Sequence, residues 1–140
     1  MKIFIPGEPI AQPRHSFRVI KTKQGKLTCM PYIPKSDPVH AYKQAIRLAY
    51  ANAGGEVLEG PVSIKIVCWF ERPKDHSKKR RQQREPKTTK PDLDNVGKAI
   101  LDALNEIAYN DDGQVYRLTV EKWYINEPYD SIGTEIEVHQ

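Results

Sequence analysis

The sequence predicts one α+β domain: a mixed, mainly antiparallel sheet with two main helices and a flexible basic arm over residues 72–90. Three observations predict it. The chain has 140 residues, 39% of them hydrophobic, which suits a single core spanning 1–140. Strand-like runs and 3.6-residue periodicities follow one another in the order strand, hairpin, helix, strand, polar segment, helix, strand, strand. Only two helical patterns are available as crossovers, so most strand neighbours should be antiparallel.

Lys2 to Ile5 reads as a first strand, ended by Pro6-Gly7-Glu8-Pro9. After the irregular Gln12-Pro13-Arg14-His15, the runs Phe17 to Lys21 and Leu27 to Ile33 flank Thr22-Lys23-Gln24-Gly25, as in a hairpin. Ser36-Asp37-Pro38 is a helix start, with a capping side chain, an acid at the positive end of the helix dipole and a proline in the first turn. Val39, Tyr42, Ala45, Ile46 and Ala49 then recur at helical spacing until Gly54-Gly55, and this stripe reads as core. Val62 to Phe70 alternates and then becomes continuously apolar, which predicts a central strand. Val96, Ala99, Ile100, Ala103, Leu104 and Ile107 define a second amphipathic helix, with Asp94, Lys98, Asp102 and Asn105 on its other face. Gln114 to Ile125 and Ile132 to Val138 supply the last strands. Cys29 and Cys68 match no ligand or CxxC spacing and read as buried thiols in strands.

The net charge of +4 is unevenly spread: residues 72–90 hold nine Lys and Arg against Asp75 and Glu85, a local +7, which leaves −3 elsewhere. Such a run suits a polyanion, because each cation placed near a phosphate releases condensed counterions. Its bland reading is a solvated loop whose charge aids solubility. The segment has almost nothing apolar to bury, so it is expected to be mobile, with helix between Lys78 and Arg84 when bound. No apolar run approaches the roughly 20 residues that cross a bilayer, and the N-terminal apolar stretch breaks at Pro6-Gly7, so neither membrane nor export is expected and a cytoplasmic location is.

The most informative stretch is Lys90-Pro91-Asp92-Leu93-Asp94-Asn95-Val96-Gly97-Lys98, followed by Asp111-Asp112-Gly113-Gln114-Val115. Acids at i and i+2 share a side of an extended segment, and gathered carboxylates repel one another unless a cation lies between them. Asp92 and Asp94, with Asp111 and Asp112 across a helix-length gap, are therefore a plausible cup for Mg²⁺ or Mn²⁺. The plain alternatives are helix caps for Asp92 and Asp94, turn chemistry for Asp111-Asp112, and one half of an exposed ion pair for Lys98. A DxD alone is weak; the basic approach to it and the second acidic pair strengthen it.

Asp92-Leu93-Asp94-Asn95-Val96-x-Lys98, then Asp102-Ala103-Leu104, then Asp111-Asp112-x-Gln114-Val115 resemble, in order and spacing, the RusA family of Holliday-junction resolvases. The resemblance is close from Lys87 to Tyr124 and looser elsewhere, and includes Pro13-Arg14 and the basic approach to the acids. It implies a C2 homodimer acting as a Mg²⁺-dependent endonuclease on four-way DNA junctions by paired symmetrical nicks, in recombination and repair. By motif position Asp92, Asp94 and Asp112 look like metal-binding catalytic acids and Lys98 like the catalytic lysine; Asp111 is the ambiguous neighbour. Where the family has Leu after Asn this chain has Val96, a conservative exchange on the core face. Arg14, Lys78, Lys79, Arg80, Arg81, Arg84, Lys87 and Lys90 are the candidate DNA contacts. Two other classes compete: a non-catalytic nucleic-acid binding module, and a DxD nucleotidyl- or glycosyltransferase, against which the lack of a glycine-rich phosphate loop counts.

Overall fold

The computed structural model describes residues 1–140. A four-stranded sheet runs in the order β1 (Lys2–Pro6), β6 (Gly133–His139), β4 (Val62–Phe70), β5 (Val115–Tyr124). β1 with β6 and β6 with β4 are antiparallel, whereas β4 and β5 are parallel. The sheet is thus mixed and mainly antiparallel. The parallel pair needs a crossover, which the chain makes through the residues between β4 and β5, including α3 (Leu93–Leu104).

Alternation along β4 decides which side of the sheet is covered. Val62, Ile64, Ile66, Cys68 and Phe70 are buried, while Lys65 on the other face is exposed. Ile3 and Ile5 of β1 and Ile136 and Val138 of β6 join the same core, where α1 (Pro38–Asn52) contributes Tyr42, Ile46 and Tyr50 and α3 contributes Val96, Ile100 and Leu104. Both helices therefore lie on one face, giving two layers. α1 starts where its sequence says: the Asp37 carboxylate accepts from the Val39 amide at 2.9 Å, and Pro38 takes the first turn. Gly97 lets α3 approach β5, since a Cβ there would lie 3.2 Å from Val120 Cγ2.

One expectation needs correction. Cys68 is buried, but Cys29 is exposed, because its hairpin of β2 (Ser16–Lys21) and β3 (Leu27–Tyr32) pairs only with itself and no second layer covers it. The basic segment is folded, with a short helix α2 (Lys78–Arg81) capped by Ser77. Its anchor is Arg72, which carries charge yet is buried: Nε donates to Ile125 O at 2.9 Å, Nη1 to Glu85 Oε1 at 2.5 Å, and Nη2 to Gln83 O. Backbone bonds from Lys87 N to Lys122 O (2.9 Å) and Tyr124 N to Glu85 O (3.0 Å) then lay the segment along the end of β5. What the segment lacks in apolar side chains it replaces with a guanidinium that satisfies several acceptors at once. His76 in the same segment is buried and meets Tyr124 edge-on at 5.2 Å.

Candidate active site

The DxD segment does not run as an extended pair. Asp92 has extended backbone at the N-cap position of α3, whereas Asp94 is already in the first helical turn. Asp92 occupies the capping position without capping: its side chain accepts no helix amide and instead pairs with Lys90 Nζ at 3.0 Å. Asp94, Lys98 and Asp102 follow at four-residue spacing on the helix face turned away from the core. That row forms one wall of a cleft of about 620 Å³, whose other lining includes Asp112 and the β5 residues Leu118, Thr119 and Val120.

The second acidic pair divides its labour. Asp111 caps the single 3-10 turn Asp112–Gln114, accepting from Gly113 N at 3.1 Å, while Gln114 Oε1 accepts from Asn110 N (2.8 Å) and Asp111 N (3.1 Å). Gln114 Nε2 also donates to Leu58 O and Gly60 O, so the turn is tied to the loop before β4. With Asp111 engaged, the exposed Asp112 is the member that reaches the cleft. Beneath it the Tyr109 hydroxyl donates to Leu101 O at 2.7 Å, and burial, then the charges of Asp112 and Asp102, push this phenol above its ordinary range. Asp102 has a partner in Lys43 at 3.7 Å.

The structure thus brings together Asp94, Lys98, Asp112 and Asp102, the last of which sequence reasoning noted on the helix face without making it a site residue. Asp92 stands outside the lining, at the rim. No three acids converge closely enough to hold one ion between them, so the expected three-aspartate cup is not closed. The donor set still fits a hard cation of the Mg²⁺ kind, which keeps several waters and takes one or two carboxylates plus substrate phosphates rather than an all-protein cage.

One contributor was missed. Lys122 of β5 donates from Nζ to Thr89 O (2.7 Å) and Pro91 O (2.6 Å), clamping the backbone that delivers Asp92. Burial, then nearby Lys87, lowers its pKa, and Asp92 opposes them. A lysine in the middle of a strand gives no sequence signal that it faces a loop some thirty residues earlier.

The candidate DNA contacts fall into two groups. Arg14, Lys78 and Lys79 are exposed and their side chains hold no partner. The others are engaged. Arg80 bonds Glu85 twice (3.1 and 2.7 Å), and Arg81 donates to His76 O, Pro73 O and Glu127. Arg84 stacks over Trp123 at 4.4 Å, and Lys87 reaches Thr89 Oγ1 at 2.7 Å.

A family model described as endodeoxyribonuclease RusA matches residues 6–139, nearly the whole chain. The protein belongs to the RusA family. A Bacillus subtilis (strain 168) relative, uncharacterized protein YqaN, is 37% identical over an alignment that covers 91% of this chain and 90% of the relative. Membership makes the chain one of a family of DNA endonucleases, and the RusA match takes in the hairpin, the basic segment and every cleft residue named above. No helix is long and apolar enough to cross a membrane.

Proposed function

We propose that this RusA-family protein is a Mg²⁺-dependent endonuclease that resolves four-way DNA junctions by paired symmetrical nicks, working as a C2 homodimer. The observation that supports this most is the cleft in which Asp94, Asp112 and Lys98 face one open volume beside Asp102. A pure binding module would leave the acids as caps and turns. Asp111 has that role here, yet Asp92 caps nothing and the carboxylates of Asp94 and Asp112 accept no hydrogen bond from the chain.

The residues divide the work as follows. Asp94 and Asp112, with Asp92 drawn in from the rim, would hold the cation. When bound it would polarise a phosphate oxygen, acidify the attacking water and offset charge on the leaving oxygen. Lys98, one turn beyond Asp94, sets a point charge against the scissile phosphate, an interaction that gains strength as water leaves. Leu93, Leu101, Leu118 and Val120 form the apolar floor that helps exclude water once DNA covers the cleft. Lys90 neutralises Asp92 in the free protein, which eases the approach of a polyanion to an acidic site. A junction with approximate two-fold symmetry needs two cuts, and a C2 pair supplies two sites on one axis.

The test is cleavage of a synthetic four-way junction beside a matching linear duplex, with Mg²⁺ or EDTA, for the unmodified protein and Asp94→Asn. Paired nicks restricted to the junction, to metal and to the unmodified protein are expected. Metal-independent binding with no nicks would sink the reading.

A further inference from the structure

The −3 assigned to the chain outside the basic segment hides a second cationic region. Between Glu8 and Asp37 there are six Lys and Arg (Arg14, Arg18, Lys21, Lys23, Lys26, Lys35) and no acid. Taking this +6 and the arm's +7 from +4 leaves −9 for everything else. All six lie in or beside the β2–β3 hairpin, and none forms an ion pair.

The hairpin is exposed along its length. Phe17, Val19 and Leu27 are 68%, 67% and 74% exposed on one face, where Phe17 pairs with Pro31, Val19 with Cys29, and Lys21 with Leu27. On the other face Arg18 lies 4.5 Å over the Tyr32 ring. A two-stranded ribbon with both faces in water is marginal alone, so something else is expected to cover it. Its position says where that partner sits. The Gln12 amide donates to Asn95 O at 2.9 Å, and Gln12 itself is buried, so the hairpin springs from the first turn of α3, beside Asp92 and Asp94. Six residues per strand reach about 20 Å, or some six base pairs at about 3.4 Å each.

We infer that the β2–β3 hairpin is a second DNA-binding element, which lays its cations along the phosphates of an arm of the substrate and places Phe17 against bases exposed at the branch. The inference rests on the nuclease reading for the identity of the polyanion. Charge selects DNA over a second copy of the hairpin as the occupant, because two +6 hairpins repel each other whereas phosphate attracts both. An exposed aromatic on a cationic ribbon is also what unstacked bases use as a platform.

The experiment measures log affinity for a four-way junction against log salt, for the intact protein and for Arg18→Ala/Lys21→Ala/Lys23→Ala/Lys26→Ala. These positions are exposed or lie in the turn, and loss of four duplex contacts should flatten the slope by two units or more, up to about 3.6. A slope equal to that of the intact protein overturns the inference. A second measurement needs no substitution: a maleimide-linked photo-cross-linker attached at exposed Cys29, with Cys68 buried, should join the hairpin to junction DNA. Cross-links only to a second protein copy would overturn it and make the hairpin a self-association surface. The two readings fail separately. A protein that cuts junctions with an unaltered slope in the variant loses only the hairpin inference; one that binds through the hairpin without Mg²⁺-dependent nicks loses only the resolvase reading.

Discussion

Asp111 and Asp112 are adjacent and chemically identical, and the structure gives them opposite consequences on substitution. Asp111→Ala removes a carboxylate that accepts from Gly113 N, while the reciprocal bond, Gln114 Oε1 accepting from Asp111 N, and the Gln114 links to Asn110 N, Leu58 O and Gly60 O stay in place. Loss of a cap costs about 1 kcal/mol, and the surviving half keeps the cost from rising further. With an unfolding entropy of about 2.1 cal/mol/K per residue, a chain this long should lose about 3 °C in Tm. Junction cleavage should persist below that temperature. Asp112→Asn removes charge from an exposed side chain without a hydrogen bond, so stability should stay within about 0.5 kcal/mol. Cleavage should fall by at least about 100-fold, or about 2.7 kcal/mol of transition-state stabilisation. The assay pairs thermal melts with single-turnover junction cleavage at saturating Mg²⁺. Abolished cleavage at unchanged Tm for Asp111→Ala, with normal cutting by Asp112→Asn, would refute the division and move the site to Asp111.

The latch on the basic segment gives further outcomes. Arg72→Ala strands the Ile125 and Gln83 carbonyls while Glu85 keeps Arg80, so the cost should be about 3 kcal/mol, about 10 °C in Tm, with new protease cuts between 73 and 90. Arg80, then Arg72, holds the Glu85 carboxyl at about 2. Its folded pKa lies below the unfolded value, so this contribution is complete above about 4.5 and is lost as pH falls towards about 2. Hydrogen exchange over 78–87 should rise through that window in the intact protein and show no such dependence in Glu85→Gln. Lys122→Met should lower the cleavage rate by about tenfold and raise exchange at 89–92, with junction affinity little changed, because the clamp acts on the backbone ahead of Asp92. Equal cleavage by Lys122→Met and the intact protein would make the clamp structurally redundant. Lys78→Ala/Lys79→Ala should flatten the salt slope by up to about 1.8, and no change would exclude α2 from the DNA.

Periodic elements were legible because each declares its own burial. The α3 stripe from Val96 to Leu104 and the alternation along β4 require no knowledge of a partner. The parallel register of β4 with β5 was not legible, since a crossover and a hairpin look alike until the helix between them is docked. The row Asp94, Lys98, Asp102 could be read from helical spacing, but its meeting with Asp112 across the cleft is a tertiary fact. The burial of Arg72 was not legible for a physical reason: composition treats a guanidinium as solvent-seeking, and burial with several acceptors inverts that preference. Cys29 failed in the other direction, because strand-forming residues do not reveal whether a second layer covers them.

Charge written in the sequence is therefore a poor measure of charge offered to DNA. Of the nine Lys and Arg in 72–90, Arg72, Arg80, Arg81 and Lys90 are paired with carboxylates of this chain, which leaves five to meet phosphates. The hairpin region holds fewer cations, six, yet pairs none of them. A cation already paired with a carboxylate has much of its field neutralised, so it displaces fewer of the counterions condensed on phosphate, and counterion release counts only cations that can make that exchange. The segment that looks most like a DNA-binding arm spends part of its charge on holding itself to β5 and on screening Asp92. The less conspicuous hairpin keeps all of its charge for a partner, and it starts at the turn of α3 that carries Asp94.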